Sequence, residues 1–326
     1  MIPTHRFIRA ATVVGVLALV PCFAAAQSSY PNRSIRMVVP FAPGGGTDIV
    51  GRLLAESLST ALGTTIVVDN RPGGGSTVGT GIVAKATPDG YTVLLNTIDL
   101  AVSPALHKKL SYDAVRDFAT VSLVAEQPNL LLVHPSLPAK SLQDFMTHVR
   151  AAPGKLTYGS SGVGTTTHLA TELLLLAIQC NMIHVPYKGI GPAVTALLGN
   201  ETTALVSTFA SALPHVKSGR LRAVAVTTLE RAKLLPDVPT VVESGVPGYE
   251  FTVWYGLVAP AGTPRAIVDR LNKETVAQLN TAGVQQRFEA QGLTVIPSTS
   301  AQYMAKLKSE AAKWAAAARA AKIEPQ

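Results

Sequence analysis

Three times in this chain a short apolar run ends in a glycine-rich loop that opens directly into a helical pattern. Ile35-Arg36-Met37-Val38-Val39 runs into Pro40-Phe41-Ala42-Pro43-Gly44-Gly45-Gly46, and behind it Ile49, Val50, Leu53, Leu54, Leu58, Ala61 and Leu62 recur at helical spacing. Thr65-Ile66-Val67-Val68-Asp69 runs into Arg71-Pro72-Gly73-Gly74-Gly75-Ser76 and a short helix through Val83, followed by a third strand, Tyr91-Thr92-Val93-Leu94-Leu95. Leu156-Thr157-Tyr158-Gly159 leads into Ser160-Ser161-Gly162-Val163-Gly164 and a helix opened by Thr165-Thr166-Thr167-His168. This order predicts an α/β protein with parallel strands and right-handed crossovers. Its loops gather at the strands' carboxyl ends, where ligands bind.

The 326 residues suit two such units. The second begins near Pro128, with a strand at Asn129–Val133, helices at Leu142–Val149 and Gly191–Leu198, and strands at Ile183–Val185, Ala204–Ser207 and Leu221–Val226. After Pro236 a Pro/Gly-rich stretch leads to helices starting at Pro264 and at Ser300. Strands near 121–127 and 222–228 are expected to cross between the units as a hinge, which makes the cleft the natural site. The expected divisions are residues 27–124 for the first part of lobe 1, 125–225 for lobe 2 and 226–326 for the rest of lobe 1.

His5, Arg6 and Arg9, the apolar run Ala10–Val20 and the small residues Ala24-Ala25-Ala26 together read as a secretory signal peptide cut after Ala26, residues 1–26. The run is short of the ~20 residues of a membrane span, so the mature protein is expected to be exported to the periplasm. Its loss leaves 26 basic against 20 acidic residues, a formal +6, with Cys180 as the only thiol and no intrachain disulfide. Cys180 lies in LLLLAIQCNM and reads as a small buried hydrophobe. No run of five like charges occurs, which argues against a nucleic-acid partner.

Enzyme signatures are missing. Gly162-Val163-Gly164 lacks the third glycine of a dinucleotide loop, no glycine loop ends in a lysine and a hydroxyl, and no G-x-S-x-G surrounds Ser160 or Ser161. The seven histidines show no metal-ligand spacing. Neither catalytic residues nor a metal nor a cofactor is expected. What remains is three loops at helix starts, where unpaired amides and the helix dipole hold an anion without lysine or arginine. One such loop can be a mere turn; three in two units point to carboxylate or phosphate capture. Thr47 is placed as a helix cap. Asp48 either orients the loop or complements the dipole.

These residues form a recognisable set: YPNRSIRMVVPFAPGGGTDIVGRLLA at Tyr30–Ala55, VDNRPGGGSTVGT at Val68–Thr80 and DGYTVLL at Asp89–Leu95. YGSSGVGTTTHLATELL at Tyr158–Leu174, HVPYKG at His184–Gly189, the stretch Leu213–Val226 and LPDVPTVVESGVPGYEFTVWYGLVAPAGTP at Leu235–Pro264 complete it. Over essentially the whole mature chain it resembles the exported solute-binding proteins of tripartite tricarboxylate transporters, the Bordetella uptake-type family. The resemblance implies a Venus-flytrap, type II-like periplasmic binding fold that closes on a small organic carboxylate and delivers it to integral-membrane transporter subunits. It also implies a monomer without catalysis.

The resemblance further implies that Phe41, Ala42, Gly45, Thr47 and Asp48 hold one carboxylate, with Ser160, Thr165, Thr166 and His168 opposite. Loops near Ser76, Thr97 and Ser207 finish the pocket. His168 either donates to the ligand or packs at the hinge; Lys188 reads as solvated, and Trp254 and Tyr255 as hinge packing. Many relatives carry aspartate where this chain has Ser207, so a di- or aromatic carboxylate without an α-amino group is expected over an amino acid. Other readings are a periplasmic sensing partner of a membrane receptor kinase and, further off, a hydrolase on the same scaffold.

Overall fold

The computed structural model describes residues 30–320, together with Met1. The expected signal peptide and its cleavage site lie outside the described residues. Among those described, no helix is long and apolar enough to cross a membrane.

In the first half, β1 (Ile35–Val39) pairs in parallel with β2 (Ile66–Asn70) and β3 (Thr92–Thr97), through the crossovers α1 (Gly46–Leu62) and α2 (Thr77–Ala84). Helices cover both faces of a parallel sheet. Met37, Val38 and Val39 in β1 and Leu94 and Leu95 in β3 are accordingly buried whichever way they point. A further helix, α3 (Asp99–Leu106), follows β3 at once, with Pro104 inside it. The local pattern gives no helix there, since a proline inside a run marks a boundary.

The halves are joined by one 16-residue strand, β4 (Phe118–Val133). From Phe118 to Pro128 it pairs antiparallel with β9 (Thr252–Pro260), which itself lies against β3. From Asn129 to Val133 it pairs instead with β7 (Ala204–Thr208) and, on its other edge, with β8 (Arg222–Val226) over Leu130–Val133. The strand expected at Asn129–Val133 is only the end of this element. Pro128, which lacks the N–H needed for a ladder, stands where the partners change.

The second half continues through α4 (Leu142–Ala151), β5 (Thr157–Ser160), α5 (Thr166–Ala177), β6 (Ile183–Pro186), α6 (Ile190–Leu198) and α7 (Phe209–Lys217), with β5 between β6 and β7 in parallel. The sheet order is β2-β1-β3-β9-β4-β7-β5-β6.

The returning crossing is not at 222–228. β8 is bonded to β4 within the second half, and later residues stay there: the Tyr249 hydroxyl donates to the Ala170 carbonyl (2.9 Å) and Gln143 Nε2 to the Ser244 carbonyl (3.0 Å). The chain comes back only with β9. The division expected at 225/226 therefore belongs near residue 251. The last elements, α8 (Arg265–Leu279), α9 (Ala282–Glu289), β10 (Thr294–Val295) and α10 (Ser300–Ala320), return to the first half, where β10 pairs with β4 and α10 packs on α3.

Candidate ligand-binding site

Helix α1 starts at Gly46, not at a threonine cap: Gly45 is the N-cap, extended at φ −85° and ψ 166°, and no side chain caps the turn. Thr47 is the second residue of the helix. The intrahelical ladder begins with the Ile49 N–H donating to the Gly45 carbonyl (3.0 Å), so the amides of Gly46, Thr47 and Asp48 precede it. Gly45, Gly46 and Thr47 line a narrow cavity between the halves, about 20 Å³, together with Phe41 and Thr97 from the same half. That volume holds about one water. From the second half Ser161, Thr166 and Thr208 face it.

Asp48, the third residue of α1, bonds to the loop and does not line the cavity. Its carboxylate accepts from the Gly44 N–H (3.0 Å), Asn70 Nδ2 (3.1 Å) and Arg52 Nε (3.1 Å). Burial alone would raise its pKa, but these donors outweigh it and hold the carboxyl below its usual range. Asn70 Nδ2 also donates to the Phe41 carbonyl (3.0 Å), so Asp48 and Asn70 set the shape of the loop that presents the helix start. The Ala42 amide is spent on the Lys188 carbonyl across the cleft (3.2 Å).

The opposite helix start, α5, is already engaged. Thr165 caps it, accepting from the His168 N–H (3.4 Å) and donating to the Gly162 carbonyl (2.7 Å). The Thr166 N–H donates to Asp99 Oδ1 (2.7 Å) and the Thr166 hydroxyl to Asp99 Oδ2 (3.1 Å). Thr97 Oγ1 donates to the same Oδ2. A carboxylate of the first half thus sits at the helix N-terminus of the second, only 2% exposed. Burial pushes its carboxyl up, against the lowering effect of Thr97 and Thr166. Asp99 also lines the narrow cavity. It was not among the residues selected from the sequence; its mark there is an acid in a first helical turn just after Thr97.

Ser160 and His168 lie behind the loop and line neither cavity described here. Ser160 Oγ is 2.6 Å from His184 Nε2. The His168 ring stacks on His184 at 4.0 Å between centroids, and His184 stacks on Tyr158 at 4.9 Å. His168 Nδ1 accepts from the Gly164 N–H (3.3 Å). Burial lowers the pKa of His168, and burial with the neighbouring His168 lowers His184 to about 4. Both rings therefore take up a proton less readily in the folded chain, whereas an unfolded histidine takes one near pH 6.5. Below that pH the unfolded chain binds more protons, so stability is expected to fall as the pH drops from about 6.5 towards 4. Melting curves at pH 7 and pH 5 check this: the acid loss in Tm should be smaller in His184→Gln than in the parent protein.

Ser207, in β7, is fully buried and donates to the Thr208 carbonyl (3.2 Å); the neighbouring Thr208 faces the cavity in its place. Ser76 lines a second, wider cavity of about 400 Å³ beside the first, with Phe41 and Ser161 common to both walls. Its other walls are the Gly73–Gly75 loop and His107 from the first half, and Gly162, Val163 and Pro186–Lys188 from the second. Of the residues expected to bind, the structure brings Phe41, Gly45, Thr47, Thr97 and Thr166 to the narrow cavity and Phe41 and Ser76 to the wide one. Ala42, Asp48, Ser160, Thr165, His168 and Ser207 line neither of them. No cluster of three or more metal-binding side chains occurs among the described residues.

Residues 50–322 match the model of the tripartite tricarboxylate transporter family receptor. The chain belongs to this family. The solved periplasmic binding protein BugD is 36% identical with a TM-score of 0.89, covering 91% of this chain and 100% of its own. Rpa4515 of R. palustris, solved with adipate, is 35% identical (TM-score 0.88; 91% and 100% covered). MatC of Rhodopseudomonas palustris, solved with bound malate, is 32% identical (TM-score 0.84; 88% and 99% covered). The two-lobed periplasmic binding fold expected of this receptor chain is the one these structures share with it.

Proposed function

We propose that the protein is a periplasmic receptor that captures a small organic carboxylate between its lobes and hands it to the integral-membrane subunits of a tripartite transporter, without chemical turnover. The observation that carries this reading is the start of α1: Gly45, Gly46 and Thr47 line an interlobe cavity, where the helix dipole adds up to about 2 kcal/mol for an anion in a partly buried setting. Family membership and the adipate and malate bound by two relatives support it.

The ligand is proposed to be a di- or aromatic acid without an α-amino group. Asp99, the carboxylate that faces the narrow cavity, is already met by three donors and needs no ligand ammonium. Calorimetry against adipate, malate, benzoate, aspartate and glutamate tests both parts. Binding of at least one non-amino acid with closure of the lobes in solution scattering is expected. Tighter binding of aspartate or glutamate than of every other acid would exclude the non-amino preference, and no binding or thermal shift with any carboxylate would exclude the receptor reading.

A further inference from the structure

We infer that Asp99 is an autoinhibitory latch: it fills the helix start of the second lobe with the protein's own carboxylate, holds the lobes together and must let go before a ligand enters. The ligand side of this inference rests on the carboxylate reading above. Asp99 is the first residue of α3 in the first lobe. Thr97 fixes its side chain from the same lobe, donating to Oδ2 through its hydroxyl and accepting from the Asp99 N–H (3.1 Å). The other two partners, the amide and hydroxyl of Thr166, lie across the cleft. Thr166 is the first residue of α5, so its N–H is one of the donors that a helix leaves unpaired, at the positive end of the dipole. An acid presented by one lobe and received by the other is how a bound carboxylate would draw two lobes together. Here the acid belongs to the chain.

The latched arrangement leaves no room for a ligand at the start of α1. Asp99 and Thr166 line the same narrow cavity as Gly45, Gly46 and Thr47, and that cavity holds about one water. A carboxylate with the carbon that bears it is larger. The walls must therefore part, and the Thr166 bonds break, before the acid is seated. Thr97 stays with Asp99 as they do, because it moves with the same lobe. The latch is also weak enough to release: on opening its donors are returned to water, and the carboxylate, 2% exposed when latched, regains the hydration that burial removed. Binding thus waits on opening, and the affinity is lowered by the share of molecules that are latched.

Two variants release the latch from opposite sides. Asp99→Ala removes the acid. Thr166→Pro removes both donors of the second lobe and leaves the acid in place. Proline suits the first position of a helix, and Thr165 before it already has the extended backbone that proline demands, at φ −91° and ψ 166°. Small-angle scattering of the ligand-free proteins should give a larger radius of gyration for both variants than for the parent protein. In stopped-flow mixing with adipate the parent's observed rate should level off as the concentration rises, because opening becomes the slow step. The plateau of both variants should stand at least about tenfold higher, the scale of one net hydrogen bond to a charged group. Asp99→Asn, which keeps the bonds without the charge, should fall between. Radii and plateaus equal to the parent's in both variants would overturn the inference. So would a change in Asp99→Ala alone, since Thr166→Pro breaks the same bonds, or a parent rate that climbs to the variants' speed without a plateau. If no carboxylate binds at all, the reading beneath is lost, while the scattering of the ligand-free proteins still decides the latch.

Discussion

Gly191→Ala should weaken carboxylate binding by about 10- to 100-fold, roughly 1.4–2.7 kcal/mol, without lowering the melting temperature. Gly191 is the second residue of α6 in the second lobe, and its backbone is helical, with no left-handed φ to favour glycine. Alanine there is the better helix former by up to about 1 kcal/mol. The added Cβ would nevertheless stand 2.5 Å from the Pro43 carbonyl and 3.5 Å from the Gly45 amide nitrogen, both in the loop that presents α1 from the other lobe. Backbone atoms cannot turn aside as a side chain can, so the lobes must part. The expected signature is a divergence: unchanged or raised Tm, weaker ligand binding and a larger radius of gyration with ligand present. Gly75→Ala blocks the same approach, with a Cβ 2.4 Å from the Val163 carbonyl, but its φ of +58° adds strain within its own loop. A loss of binding in Gly191→Ala accompanied by an equal loss of Tm would show that the contact is structural, not part of closure.

The alternation of strands and helices, the glycine loops and the positions of α1 and α5 were legible in the sequence because each depends on local pattern: period, breakers and first-turn residues. The crossing strands were not. β4 changes partners at Pro128 and β9 lies more than a hundred residues away, so the hinge is a matter of long-range pairing, and the local pattern at 222–228 shows only a strand. The site shows the same division. Gly45, Thr47 and Thr166 reach the cavity because a helix start fixes where they point. His168 sits on such a turn too and Ser160 ends the strand before it, yet the stack of His168, His184 and Tyr158, drawn from three elements, turns them inward. Asp99 was missed for the converse reason: its partner Thr166 is 67 residues away.

Asp99→Asn should tighten the binding of a non-amino carboxylate by about tenfold at pH 7 and remove most of its pH dependence. Asparagine keeps the geometry. Its Oδ1 still accepts from the Thr166 N–H, and its Nδ2 donates to the hydroxyl oxygens of Thr97 and Thr166, which now serve Asp99 Oδ2. What it removes is a negative charge lining the cavity that receives the ligand. Two like charges about 5 Å apart at an effective dielectric near 20 repel by roughly 3 kcal/mol, of which about 1.4 kcal/mol per tenfold is expected to survive screening and rearrangement. The sign with pH follows. Burial already raises the Asp99 pKa in the free protein, and a bound anion raises it further, so binding takes up a proton and the parent protein should bind more tightly as the pH falls from 8 to 5. Asparagine cannot titrate, and its affinity should stay level across that range. Calorimetry of both proteins at pH 5, 6.5 and 8 separates the cases. Weaker binding in the asparagine variant at every pH would mean that the Asp99 charge itself is needed, as for a ligand that brings an ammonium to it, and would count against the non-amino acid proposed above.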